Sequence, residues 1–326
     1  MFAQRSRILP RAFAIAALAV AALILATDAA GARTIVRLGK AQINQFGFVP
    51  ADVGVDTGLF NKQGLDVRIS AFAGDAKLMQ ALAAGSIDIA LGGSPALAAI
   101  AKGAPMKAVA AAINAPNIIM LVVLKNGPVG SIAALKGRRV SVSTQGSLTF
   151  WLTQQLSRAR GWGDNGIKIT PLGSSAAQIA ALRTFQVDGV TTDSVTVHKF
   201  VDSGDGRILV KFGDYVKDFH AGLIYASNTL IKNDPAALRA FLAGWFQAVA
   251  YMRGHRQAAI EVAVKHTGVS PAVAAAGYDD TMPVTSPDGR FDPKALDVLA
   301  TSFVEMHMLP ARPNMSALVS DAFLPK

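Results

Sequence analysis

The chain has 326 residues, a formal net charge of +10 and no cysteine. With 51% hydrophobic and 17% charged residues it reads as a folded chain with a large core, and disulfides and thiolate metal sites are excluded. The basic excess does not point to nucleic acid, because Lys and Arg are scattered, without a basic run or interleaved aromatics.

Residues 1–32 have the layout of a cleaved secretory signal. Arg5, Arg7 and Arg11 make a basic start, 12–26 is an uncharged apolar run, and Ala30-Gly31-Ala32 offers small residues for cleavage. An apolar run of about 15 residues falls short of the roughly 20 that a spanning helix needs. The mature chain would begin at Arg33 with an excess of +8, since three basic residues and one acidic residue lie in the signal. Without cysteine there is no lipid-attachment residue, and a periplasm is the expected location.

The first elements alternate. Residues 34–41 predict a strand, 50–60 a helix, 65–70 ("LDVRIS") a strand, 75–84 a helix closed by Gly85, and 87–91 a strand. Strands this far apart cannot be hairpins, so the pattern predicts a parallel sheet flanked by helices. The same grammar recurs: strand 139–143, helix 149–160, strand 167–172, helix 174–185 and strand 187–191. Ala81, Leu82, Asp88 and Ser94 recur one hundred positions later as Ala181, Leu182, Asp188 and Ser194. Two similar α/β lobes follow. The apolar segments 117–127 and 220–231 have the β-rich composition of strands and lie outside both units, where the chain would cross between lobes. The predicted division is 1–32 signal, 33–123 first lobe, 124–221 second lobe, and 222–326 returning to the first lobe with C-terminal helices. There Asp234 would cap a helix with Pro235 at its first position and an apolar stripe for core packing.

Loops that follow the strands of a parallel sheet collect on one edge, and here they are rich in Gly, Ser, Thr, Asn and Gln. Helix N-termini there expose unpaired N–H groups suited to an anionic or polar ligand. One helix end contributes about 0.3–1 kcal/mol whereas a micromolar ligand needs about 8 kcal/mol, so several loops must converge. The stretch Gly92-Gly93-Ser94-Pro95-Ala96 lacks the closing glycine of a nucleophile elbow, and no phosphate-binding or dinucleotide motif occurs. The histidines have no metal-ligand spacing, so neither a metal nor a catalytic set is expected. Ser94 reads as an N-cap that also faces a ligand. Asp193 reads as a cap for the helix beginning near Ser194, or as a ligand acceptor, and Gln145, Gly146, Ser147 and Thr149 as a turn with a cap or a binding loop. Phe46 and Phe48 are equally cleft walls or core.

The segments "GLFNKQGLDV", "AAGSIDIALGGSPALA", "LKGRRVSVSTQGS" and "NDPAALRAFLAGWFQAVAYM" resemble the substrate-binding proteins of bacterial ABC importers for nitrate, sulfonates and taurine, a family that also holds pyrimidine-precursor binders. The resemblance spans nearly all of the mature chain. It implies a two-lobed type II periplasmic binding fold, each lobe a mostly parallel sheet flanked by helices, with two hinge crossings. It also implies a monomer without cofactor that traps a small polar or anionic organic molecule by hinge closure and delivers it to an ABC permease. By matching position, the implied binding residues are Asn44, Gln45, Phe46, Gly74, Gly93, Ser94, Gln145, Ser147 and Thr149. Thr192 and Asp193 lie where many relatives carry tryptophan, so the ligand need not be theirs. A pyrimidine- or thiamine-precursor binder, or an enzyme on the same fold, is the alternative.

Overall fold

A computed structural model of the chain describes residues 33–326 apart from Ile43 and Ala73; the expected signal lies outside these residues. Two five-stranded sheets organise the chain. In the first the strand order is β2-β1-β3-β10-β4, built from β1 (Thr34–Lys40), β2 (Leu65–Ala71), β3 (Ile89–Gly93), β4 (Met106–Ile113) and β10 (Gly222–Ser227). In the second it is β7-β6-β8-β5-β9, built from β5 (Ile119–Leu124), β6 (Arg139–Val142), β7 (Lys168–Pro171), β8 (Gly189–Asp193) and β9 (Gly206–Lys211). The two orders correspond strand for strand. β1 runs parallel to β3, and β6 parallel to both β7 and β8. Each sheet is made mixed by one reversed strand: β10 lies antiparallel between β3 and β4, and β5 antiparallel between β8 and β9.

The two apolar segments expected as crossings are therefore sheet strands, each completing the sheet it enters. The crossings themselves are the short stretches beside them, 114–118 and 212–221. The division expected at 123/124 consequently falls inside β5, which belongs to the second sheet. Two strands have no counterpart among the sequence expectations. β4 reads "MKAVAAAI", and its alanines favour helix in isolation. It is a strand because it is buried along nearly its whole length, with β10 on one side and residues 285 and 319 bridging to it. β9 is short and only half-buried, and carries no strong alternation.

The repeat is held by the same clasp in both sheets. Asp88 accepts hydrogen bonds from the Arg37 backbone N–H (2.8 Å) and its guanidinium, tying the start of β3 to β1. Asp188 accepts from the Arg139 N–H (3.0 Å) and Nε (3.2 Å), tying β8 to β6.

Helices α1 (Val49–Asp56) and α2 (Asp75–Ala83) flank the first sheet, and α3 (Leu148–Ala159), α4 (Ser175–Arg183) and α5 (Ser194–Asp202) the second. The C-terminal helices are α6 (Pro235–Gly254), α7 (Arg256–Thr267), α8 (Pro271–Thr281) and α9 (Pro293–Glu305). Asp234 caps α6 through the Ala237 N–H at 2.9 Å, and Leu238, Phe241, Leu242, Trp245, Val249 and Met252 are buried as its stripe requires. The last two helices do not return to the first sheet alone. α8 packs on both the Phe46–Phe48 turn and α5, while α9 packs beside the Ser94–Ala96 turn and bonds to α3 through its terminal Glu305.

Candidate functional site

The loops after β1, β2 and β3 carry the first group of expected site residues. Asn44 and Gln45 are half-exposed, in the loop that leads into the Phe46–Phe48 turn. Phe46 is not a cleft wall: it is buried, edge-on to Tyr278 at 6.0 Å, with Gly277 closely packed against it. Phe48 is buried too. Gly74 has φ 95°, a conformation that favours glycine, and its N–H donates to the Ala41 carbonyl, which turns the chain into α2.

Ser94 differs from expectation. Gly93, not Ser94, occupies the N-cap position, and no side chain caps that turn. The Gly93 N–H donates to Asp75 Oδ1 at 2.8 Å, and the Ser94 N–H to the Ala221 carbonyl at 3.3 Å. Both backbone donors are thus spent inside the fold and are not an anion cradle. The Ser94 hydroxyl is buried with no hydrogen-bond partner. The buried Tyr225 hydroxyl donates to the Gly93 carbonyl at 2.7 Å, and burial, then the Asp75 charge, hold its proton on. Burial pushes the Asp75 carboxyl above the usual carboxylate range, against the pull of the Gly93 N–H.

The second sheet presents hydroxyls. Ser147 caps α3, its oxygen accepting from the Phe150 N–H at 3.2 Å. Thr149 Oγ1 accepts from the Ser143 N–H at 3.1 Å and lies 3.1 Å from Ser143 Oγ and 2.9 Å from Ser147 Oγ. Gln145 is exposed on the turn before them. Gly146 has φ 74°, and a Cβ there would meet the Met306 carbonyl at 2.9 Å, so the turn is pressed against the end of α9.

Asp193 is a cap. Its Oδ1 accepts from the Thr196 N–H at 2.8 Å, and its Oδ2 from the hydroxyls of Thr196 (2.7 Å), Ser175 (3.2 Å) and Thr192 (3.3 Å). Thr192 Oγ1 and Ser175 Oγ are also 2.9 Å apart. The two lobes use one contact with reversed chemistry. In the first, the helix start supplies the carboxylate (Asp75) and the strand end the donor (Gly93); in the second, the helix start supplies the donor (Ser175) and the strand end the carboxylate (Asp193).

Where the crossings meet, His220 is buried. The Asp292 N–H donates to its Nε2 at 2.9 Å, so the proton sits on Nδ1, which faces Asn114 Oδ1 at 3.1 Å. Burial pushes the imidazole down to about 4 from 6.5, against the pull of Asp292.

The structure therefore gathers Ser147 with Thr149, and Thr192 with Asp193, at the carboxyl edge of the second sheet, and Gly74, Gly93 and Ser94 at that of the first. Asp75, Ser143, Ser175, His220 and Tyr225 were not foreseen. The offset of one hundred is the one signal that could have found Asp75 and Ser175. Among the described residues no three His, Asp or Glu side chains group as a metal site. What the edges offer is hydrogen bonding to a small polar molecule from Asn, Gln, Ser and Thr side chains.

No curated protein matches the chain. Among solved structures it is similar to the periplasmic aliphatic sulphonate binding protein SsuA from Escherichia coli, with 23% identity and a TM-score of 0.75 over 88% of this chain and 92% of that one. The alkanesulfonate-binding protein SsuA from Xanthomonas axonopodis pv. citri, bound to MOPS, gives 21% identity and 0.72 over 89% and 99%. The desulfurization enzyme DszB gives 14% identity and 0.65 over 89% and 97%. At these identities the likeness establishes the fold, that of periplasmic binding proteins. The model of the NMT1/THI5-like family matches residues 45–259, most of the chain, and the protein belongs to that family.

Proposed function

We propose that this chain is the extracytoplasmic solute-binding component of an ABC importer, which traps a small polar or anionic organic molecule between its two lobes and hands it to a membrane permease. The observation that carries the reading is the pair of polar strand-end edges, one per sheet, joined by two short crossings. A ligand that bridges both edges binds the closed arrangement better than the open one and shifts the population toward it. Asn44, Gln45, Gly74 and Ser94 would form one jaw, and Gln145, Ser147, Thr149 and Thr192 the other. Asp193 would shape the second jaw through Ser175 and Thr192 without touching the ligand. The sulfonate ligands named for the two SsuA proteins make a sulfonate the first class to try, with nitrate, carboxylates and pyrimidines beside it. We further infer a periplasmic, monomeric protein that releases its ligand unchanged.

The test is a thermal-shift screen of those four classes, followed by small-angle scattering with the best ligand. Binding to the folded state alone raises the melting temperature by mass action, and closure reduces the radius of gyration. An unchanged radius at saturation rejects hinge closure, and a chemically altered ligand recovered after incubation establishes the enzyme reading instead.

A further inference from the structure

The positive charge that is dispersed in sequence is gathered in space. The strand-start edge of the second sheet, opposite the edge with Ser147 and Asp193, is formed by the starts of β6, β7, β8 and β9 and the end of β5. Lys125, Lys136, Arg160 and Lys168 are exposed there and, among the described residues, have no ion-pair partner. Arg138, Arg139 and Arg183 add three more cations, set against Asp188 and Asp205; of the other carboxylates on this edge, Asp164 is paired with Arg158 and Asp202 stands at the end of α5.

Phe185 stands on the same edge. It is 58% exposed, the most exposed large apolar side chain among the described residues, and its φ is 58°. A bulky residue in the left-handed region is a strained choice. The matching position of the first lobe holds Gly85 at φ 73°, which adopts this conformation freely. The strained turn is braced, since Arg139 Nη2 donates to the Phe185 carbonyl at 2.9 Å. An aromatic ring is thus held outward at a position where glycine would serve the fold better.

We propose that this edge is a peripheral docking surface for an anionic lipid bilayer, with Phe185 entering the interface among lysines and arginines that meet acidic headgroups. A protein partner fits less well. The hollow beside Phe185, about 350 Å³, is lined by the charged Lys125, Arg183 and Asp205 with Leu124 as its one apolar side chain besides Phe185, and the cations are spread over the ends of β5, β6, β7, α3 and α4, as a broad charged plane would engage them. Each Lys or Arg close to an anionic surface strengthens association roughly five-fold, and the attraction fades with salt. The contact would hold the protein near a membrane and leave the opposite edge of the sheet free. It does not rest on the ligand-binding reading and can fail separately.

The test is co-sedimentation of the chain from Arg33 onward with vesicles of phosphatidylcholine alone and with roughly a third phosphatidylglycerol. Association is expected with the anionic vesicles only, and is lost at about 0.5 M salt. The double variant Lys125→Glu/Lys168→Glu should weaken it at least about ten-fold, and Phe185→Gly should weaken it without lowering the melting temperature. A control, Lys62→Glu/Lys232→Glu, places the same charge change on exposed residues beside the first sheet and should leave binding intact. Equal sedimentation with both vesicle types, sedimentation with neither, or equal weakening by the control would overturn the proposal. So would full binding by either test variant.

Discussion

Ser94 and Asp193 occupy matching ends of the two sheets, yet their side chains are in opposite situations, and substitution separates them. Ser94 Oγ is buried without a partner, so Ser94→Ala removes an unsatisfied group and should leave stability within about 0.5 kcal/mol of the parent. If that hydroxyl is reserved for ligand, affinity falls while the unfolding midpoint does not move. Asp193 gathers four donors, including the cap of α5. Asp193→Ala should cost about 2 kcal/mol, a lost cap plus stranded hydroxyls. Affinity should fall through displacement of Ser175 and Thr192. Urea unfolding and calorimetry on both variants check this, and a stable Asp193→Ala with unaltered Thr192 geometry would refute the capping account. The exchange of carboxylate and donor between Asp75–Gly93 and Ser175–Asp193 also shows why a repeat is a weak guide to site chemistry: it preserves the contact and not the groups that make it.

At the scale of elements, the C-terminal helices act as braces on both flanks. α8 lies between the Phe46–Phe48 turn and α5, where Asp280 takes His198 Nε2 at 2.5 Å and the Lys211 ammonium. α9 ends at Glu305, whose carboxylate accepts from Trp151 Nε1 (2.5 Å), Gln155 Nε2 (3.1 Å) and Arg158 Nη1 (2.7 Å), three residues along one face of α3. A carboxylate at a helix C-terminus opposes the helix dipole, and these three donors compensate. Glu305→Ala should lose about 1–2 kcal/mol, discounted because the group is partly exposed. Because α3 carries Ser147 and Thr149 at its other end, ligand affinity should fall with it. Urea unfolding followed by tryptophan emission reads the first effect, and no loss of stability would mean that Glu305 does not bridge in solution. Little of this bracing was legible in the sequence. Periodicity and caps located β1, β3, β6, β8 and the helices beside them, because those signals are local. Phe46 is buried by Tyr278 and Gly277, more than two hundred residues away, and no local pattern carries that contact. The apolar segments 117–127 and 220–231 read as strands correctly, but which sheet each completes depends on a pairing that only the folded chain decides.

Across the whole molecule, the two crossings and the segment near residue 290 meet at one neutral histidine, and this makes the junction sensitive to acid. His220 accepts the Asp292 N–H and directs its own proton at Asn114, so both crossings are linked through its unprotonated form. Adding a proton to Nε2 removes that acceptor and places a charge in a buried site, which is why its affinity for protons is depressed to about 4 from 6.5. The sign follows from linkage. Between those two values the unfolded chain binds a proton that the native chain refuses, so stability is full above about 6.5, falls as pH drops, and levels off below about 4. The whole shift corresponds to about 3 kcal/mol. Asp280 is held below the ordinary carboxylate range by His198 and Lys211 despite its burial, so its own contribution is lost only at lower pH and does not mask this window. His220→Gln keeps an acceptor and a donor but cannot titrate, so its unfolding free energy should change less than the parent's between about pH 7 and pH 4.5, by roughly 2 kcal/mol. Urea titrations of both proteins at the two pH values decide it. Parallel slopes would mean that His220 is solvated and free to titrate, and that the crossings are not joined as described.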